Sequence, residues 1–230
     1  MARRSYFVTG TDTGVGKTVA SAAILEAARA LGKHTMAMKP IASGCEDTPY
    51  GLRNEDALIL QSAMTEPLPY DQVNPVALKP AIAPHVAADM AGRQLTAQRL
   101  VGFCRGLQIR PADLFLVEGA GGWRVPLNDR ETYSAVPREL SMPVILVVPL
   151  RLGCINHALL SAEAIRNDGL TLAGWVANRP DQEPMSCEQE TLNYLLMHLA
   201  APCLGVIPWQ SKPVPADLAR YLNIDPLFEN

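Results

Sequence analysis

A short apolar segment, Tyr6–Thr9, runs directly into Gly10-Thr11-Asp12-Thr13-Gly14-Val15-Gly16-Lys17-Thr18. An Ala- and Leu-rich helical pattern follows over Lys17–Leu31 and stops at Gly32. This order of strand, glycine-rich turn and helix constrains the fold more than anything else in the chain. Glycines let the backbone curl until its N–H groups face one point, and the helix N-terminus adds partial positive charge there. Lys17 then reaches the β- and γ-phosphates of a nucleotide, and the Thr18 hydroxyl can ligate Mg²⁺. Gly14, Val15, Gly16, Lys17, Thr18 and Val19 are the candidate phosphate-binding residues. The spacing departs from GxxxxGK[ST], because five residues rather than four separate Gly10 from Gly16. An ordinary glycine-rich turn is the alternative, and the arrangement of all three elements opposes it.

The rest of the chain alternates short apolar runs with longer helical patterns. Strands are expected at Thr35–Lys39, Leu114–Val117, Val144–Val148, Leu172–Ala177 and Cys203–Ile207. The second of these and Val144–Val148 are continuously apolar, as strands buried on both faces should be. Helices are expected over 54–62 with Asn54 as cap, 96–107, 156–167 and 186–199. Residues 67–84 carry five prolines and read as a long irregular stretch, of the kind that is usually functional. The tail from Ser211 is polar, with room for one short helix. The expected fold is α/β: a single-domain phosphate-loop fold over residues 1–230, mostly parallel sheet with helices on both faces.

With 20 Lys plus Arg against 23 Asp plus Glu, the net charge of −3 gives no reason to expect nucleic acid or a membrane surface as partner. The longest apolar run, around Pro143–Leu150, is far too short for a membrane span, and the N-terminus does not read as a signal peptide. Cys45, Cys104, Cys154, Cys187 and Cys203 are scattered without CxxC pairs, which fits reduced thiols in a cytoplasmic protein.

Further candidates fall at strand ends, where open α/β sheets bind ligands. Lys39 opens Lys39-Pro40-Ile41-Ala42-Ser43-Gly44 and is either a neutraliser of phosphoryl or carboxylate charge or a solvated lysine. Glu118 ends an apolar strand and is followed by Gly119-Ala120-Gly121-Gly122. With Thr18 and Asp56 it would suit Mg²⁺, which takes one or two carboxylates plus phosphate and water. Asp56 taken alone reads better as a surface helix residue. The turn Gly153-Cys154-Ile155-Asn156 opens a helix whose free N–H groups could hold a carboxylate. Cys154 reads better as a small buried residue than as a nucleophile. Asn178, Arg179, Pro208, Trp209 and Gln210 lie where an adenine could be hydrogen-bonded and covered.

The loop resembles that of the partitioning-ATPase and nitrogenase-iron-protein group, but Asp12 replaces that group's signature lysine. The absence of an NKxD motif favours ATP over GTP. Seven segments, taken in order, resemble the dethiobiotin synthetase family. They are Gly10–Thr18, Lys39–Gly44, Gly51–Ala57, Val117–Gly122, Leu152–His157, Gly174–Asn178 and Leu204–Trp209.

That resemblance implies a cyclo-ligase of biotin biosynthesis acting on 7,8-diaminononanoate, CO₂ (as bicarbonate in solution) and ATP with Mg²⁺. It places Lys17 and Lys39 on the phosphoryl and carbamate oxygens, Ser43 at the substrate, and Thr18, Asp56 and Glu118 at Mg²⁺. It also implies a homodimer in which Gly153–Asn156 of one subunit holds the substrate carboxylate in the other's site. Two departures stand out. Gly14 occupies a place where some members carry Glu, and Tyr194 is the nearest tyrosine to a position, near Glu190, where some members touch substrate. Two rival readings are a cobyrinic-acid-type ligase or amidase and a nucleotide-switch ATPase.

Overall fold

A computed structural model describes residues 3–229. Its strands are β1 (Arg4–Gly10), β2 (Thr35–Met38), β3 (Ile41–Ser43), β4 (Glu46–Thr48), β5 (Gly51–Arg53), β6 (Val76–Leu78), β7 (Leu114–Gly122), β8 (Val144–Pro149), β9 (Leu172–Asn178) and β10 (Cys203–Ile207). The helices are α1 (Lys17–Ala30), α2 (Glu55–Ala63), α3 (Tyr70–Val73), α4 (Pro84–Met90), α5 (Ala97–Gln108), α6 (Ala135–Glu139), α7 (Cys154–Asn167), α8 (Glu188–His198) and α9 (Pro215–Ala219), followed by a 3₁₀ turn at Asp225–Leu227.

Six strands form one parallel sheet in the order β10-β9-β8-β1-β7-β2. Right-handed crossovers from β1 to β2 and from β8 to β9 run in opposite directions across this sheet. They therefore put α1 and α7 on opposite faces. Covered on both sides, β8 is buried at every position and β7 from Leu114 to Gly119, which explains their unbroken apolar runs. The strand order reverses around β1, so the phosphate loop sits at the crevice where such sheets bind ligands.

Residues 67–84 are more ordered than the prolines suggest. They contain α3, β6 paired in parallel with β3, and the start of α4. The prolines mark the joints between these short elements. The β4–β5 hairpin was not visible in the sequence, since three-residue strands carry too little alternation to register. The helix expected from Asn156 begins at Cys154, with Gly153 at φ +92° as its cap.

The tail runs along α1 and the β10 edge of the sheet and ends beside the start of β1. Helix α9 packs on α1, the Tyr6 hydroxyl donates to the Leu227 carbonyl, and Gly205 pairs with Leu222. A Cβ on Gly205 would come within 2.1 Å of the Tyr221 carbonyl oxygen, so only glycine fits that crossing.

Candidate active site

The phosphate loop takes its shape from glycine. Gly14 and Gly16 have φ of +71° and +90°, and Gly16 is the cap of α1. A Cβ at position 16 would lie 2.2 Å from the Asn178 amide nitrogen, whose Nδ2 donates to the Val15 carbonyl at 3.0 Å. Asn178 thus ties the end of β9 to the loop. One of its two Nδ2 hydrogens is used on the backbone, and Oδ1 is its acceptor. Lys17 bends back across the loop, with Nζ donating to the Asp12 carbonyl at 2.9 Å. Burial lowers its pKa to about 8, against the attraction of Glu118.

Strand register assembles the rest. Met38 of β2 lies opposite Val117 of β7, so Lys39, just past the end of β2, stands beside Glu118, which lies within β7. Lys39 Nζ donates to Glu118 Oε1 at 2.6 Å and to Asp56 Oδ2 at 2.8 Å. Glu118 Oε1 also accepts from Thr18 Oγ1 at 2.8 Å. Burial opposes the charge on Lys39, but the two carboxylates outweigh it and hold the ammonium above the ordinary lysine range. Burial likewise opposes the charge on Asp56, and Lys39 overcomes it, holding that carboxyl below its usual range.

The proline-containing segment fixes this geometry from below. Asn74, at the end of α3, donates Nδ2 to the Lys39 carbonyl at 2.7 Å, and its Oδ1 accepts from the Tyr70 hydroxyl. Tyr70 accepts in turn from the Asn54 backbone N–H at 2.7 Å, and Asn54 caps α2 by accepting from Ala57 N–H. One buried chain of hydrogen bonds therefore links the backbone of Lys39 to the cap of the helix bearing Asp56. Sequence reasoning missed Tyr70 and Asn74. Their only sequence signal is a polar residue four positions after a tyrosine, in a stretch that reads as loop.

These groups border a cleft of about 690 Å³, within the usual range for ligand sites. Lys17, Thr18, Val19, Lys39, Ser43, Asp56, Ala120 and Gly121 line it. Ser43 Oγ is buried without a hydrogen-bond partner. Ala81, Ile82, Val125 and Pro126 add an apolar wall that sequence reasoning did not identify. Glu118 is fully buried and stands behind Thr18 and Lys39 rather than on the wall.

The remaining candidates lie at the same edge of the sheet but outside this cleft. Gly153–Asn156 opens α7, and Gly153 and Asn156 are exposed. Arg179 is paired with Glu188, Pro208 and Gln210 are partly exposed, and Trp209 is 36% exposed. Cys154 is 2% exposed, and burial raises its thiol pKa. A buried, protonated thiol is a poor nucleophile. Cys154→Ser is accordingly expected to keep kcat within about threefold of wild type in a steady-state assay. A loss beyond about a thousandfold with the fold intact would assign the thiol a chemical role.

Residues 4–216 match a family model described as an AAA domain. The ATP-dependent dethiobiotin synthetase BioD of Marinobacter nauticus is 74% identical, with both chains covered in full. That of Cellvibrio japonicus is 52% identical over the full length of both. Among solved structures, the MinD cell division protein of Aquifex aeolicus superposes with a TM-score of 0.54 at 17% identity, covering 96% of this chain and 88% of that one. The signal recognition particle receptor FtsY of Elizabethkingia anophelis gives a TM-score of 0.54 at 12% identity, covering 99% and 66%. These two likenesses concern the fold alone. The full-length relatives settle the membership: the chain belongs to the ATP-dependent dethiobiotin synthetase family.

Proposed function

We propose that this chain closes the ureido ring of dethiobiotin from 7,8-diaminononanoate, CO₂ and ATP, as one ATP-binding domain over residues 1–230. One amine of the substrate captures CO₂ as a carbamate. A carbamate oxygen attacks the γ-phosphorus, ADP leaves, and a carbamic–phosphoric anhydride forms. The second amine attacks the carbonyl carbon, closing the ring and expelling phosphate. The observation that carries this reading is the convergence of Lys17, Lys39, Thr18 and Asp56 on one cleft with an apolar far wall. Two ammonium groups suit an anionic nucleophile and an anionic electrophile held together. The apolar wall suits an alkyl chain.

Thr18, Asp56 and Glu118 supply one hydroxyl and two carboxylates, a hard oxygen set that fits Mg²⁺ and would not favour a softer metal. When bound, Mg²⁺ would neutralise charge on the β- and γ-phosphates. Lys17 would hold phosphate oxygens, and Lys39 would neutralise the carbamate and the transferring phosphoryl group. Ser43, whose unpartnered Oγ belongs to the same cleft as Lys39, would orient the substrate. Gly14, Val15, Gly16, Val19, Gly119, Ala120 and Gly121 would shape the nucleotide cradle. Asn178, Arg179, Pro208, Trp209 and Gln210 would meet the adenine end.

Gly153, Cys154, Ile155 and Asn156 lie outside their own cleft. That placement supports a homodimer in which they hold the carboxylate of the substrate bound to the other subunit. Five free thiols fit a cytoplasmic enzyme.

The deciding experiment supplies reactants singly and together. Phosphate should appear only when Mg²⁺, bicarbonate, ATP and the diamine are all present, one equivalent per dethiobiotin by mass spectrometry. Vigorous ATP hydrolysis without the diamine would favour the nucleotide-switch reading instead.

A further inference from the structure

Ser21 lies three residues beyond Thr18 on α1 and is fully buried. Its Oγ donates to Oε2 of Glu118 at 2.9 Å. The spacing puts Thr18 and Ser21 on one face of the helix, turned toward the end of β7. The two oxygens of Glu118 are therefore not equivalent. Oε1 bonds to Thr18 and Lys39, which line the cleft, whereas Oε2 bonds to a serine that does not. A Glu carboxylate turns easily about its last torsion, whose energy profile is broad. Left free to turn, it can present both oxygens to a cation. Ca²⁺ accepts such bidentate ligation, whereas Mg²⁺ demands a near-ideal octahedron of single oxygens.

We propose that Ser21 is a positioning residue: by holding Oε2 from behind, it leaves Glu118 only Oε1 to offer toward the cleft, and so sets a preference for Mg²⁺ over Ca²⁺. This rests on the reading that Thr18, Asp56 and Glu118 hold Mg²⁺. A serine that merely satisfied a buried carboxylate would affect stability and leave the choice of cation untouched.

The test compares wild type, Ser21→Ala and Ser21→Thr by electron paramagnetic resonance of Mn²⁺ bound in the presence of ADP, with Mg²⁺ and Ca²⁺ as competitors. ADP binding without metal and the melting temperature report an intact loop and fold. In Ser21→Ala, Mn²⁺ affinity should fall by about tenfold or more, as when an outer partner of a metal ligand is removed. Ca²⁺ should gain on Mg²⁺ as competitor by a similar factor. Ser21→Thr, which keeps the hydroxyl, should restore the wild-type ratio. A Ca²⁺/Mg²⁺ ratio within twofold of wild type in Ser21→Ala overturns the proposal, whether or not overall affinity falls. Wild-type protein with no saturable Mn²⁺ binding would overturn the magnesium reading, and the role of Ser21 with it.

Discussion

Lys17→Ala is expected to lower turnover by about a hundredfold to a thousandfold, the scale seen when one preorganised donor to a developing oxyanion is removed. The lysine is the only cation the loop itself carries, and its Nζ already hangs across the loop on the Asp12 carbonyl. Phosphate oxygens entering the cradle would offer it a stronger, charged partner. The fold should not suffer. In the folded chain the lysine pKa is about 8, against an ordinary value of 10.5. Between those values the unfolded chain binds the proton more tightly, so at neutral pH the lysine's charge opposes folding. Removing it should leave the melting temperature at pH 7 unchanged or raised. Activity within tenfold of wild type would refute the phosphate-loop assignment. A collapse of the melting temperature would show that the lysine is structural.

The parts of this site that were legible in the sequence are the local ones. The loop could be read because strand, glycines and helix are consecutive, and Asn54 could be read as a cap because capping is a short-range bond. Lys39 was recognisable as a strand-end residue and Glu118 by the apolar run before it, although β7 continues past Glu118 to Gly122. Their contact was not, because it depends on β7 inserting between β1 and β2 with Met38 opposite Val117. Ser21 looked like one more small residue in an Ala-rich helix. Tyr70 and Asn74 were hidden in a stretch whose prolines suggested disorder of pattern, yet they join Lys39 to the cap of α2. Val125 and Pro126 come to the cleft only because the chain reverses after β7. Each of these misses is a long-range pairing, which periodicity and spacing do not encode.

Lys39→Met should be the more damaging of the two lysine replacements, because it strikes both chemistry and structure. Methionine keeps most of the volume, so packing changes little. Charge changes a great deal. Lys39 is the cation bonded to both Asp56 and Glu118, and its side chain is 7% exposed. Without it Glu118 keeps only the Thr18 and Ser21 hydroxyls as partners. Removing one member of a buried ion pair costs about 3–5 kcal/mol, because it leaves the other charge uncompensated. Chemical denaturation at pH 7 should show a loss of that order. The loss should shrink in acid. The ammonium holds Asp56 below the usual carboxyl range, so the stabilisation it supplies is present above pH 3.8, the ordinary Asp value, and fades as pH falls through the lower folded value. The difference between wild type and variant should therefore begin to shrink below about pH 4 and shrink further as pH falls through the lower folded value of Asp56. On the proposed role, in which Lys39 neutralises the carbamate and the transferring phosphoryl group, turnover should fall by about a hundredfold to a thousandfold. Most of that loss should appear in kcat, with ATP affinity changed far less, because the charge Lys39 meets develops mainly in the transition state. A variant that binds ATP much more weakly but turns over normally at saturation would place Lys39 in ground-state binding and remove it from the chemistry.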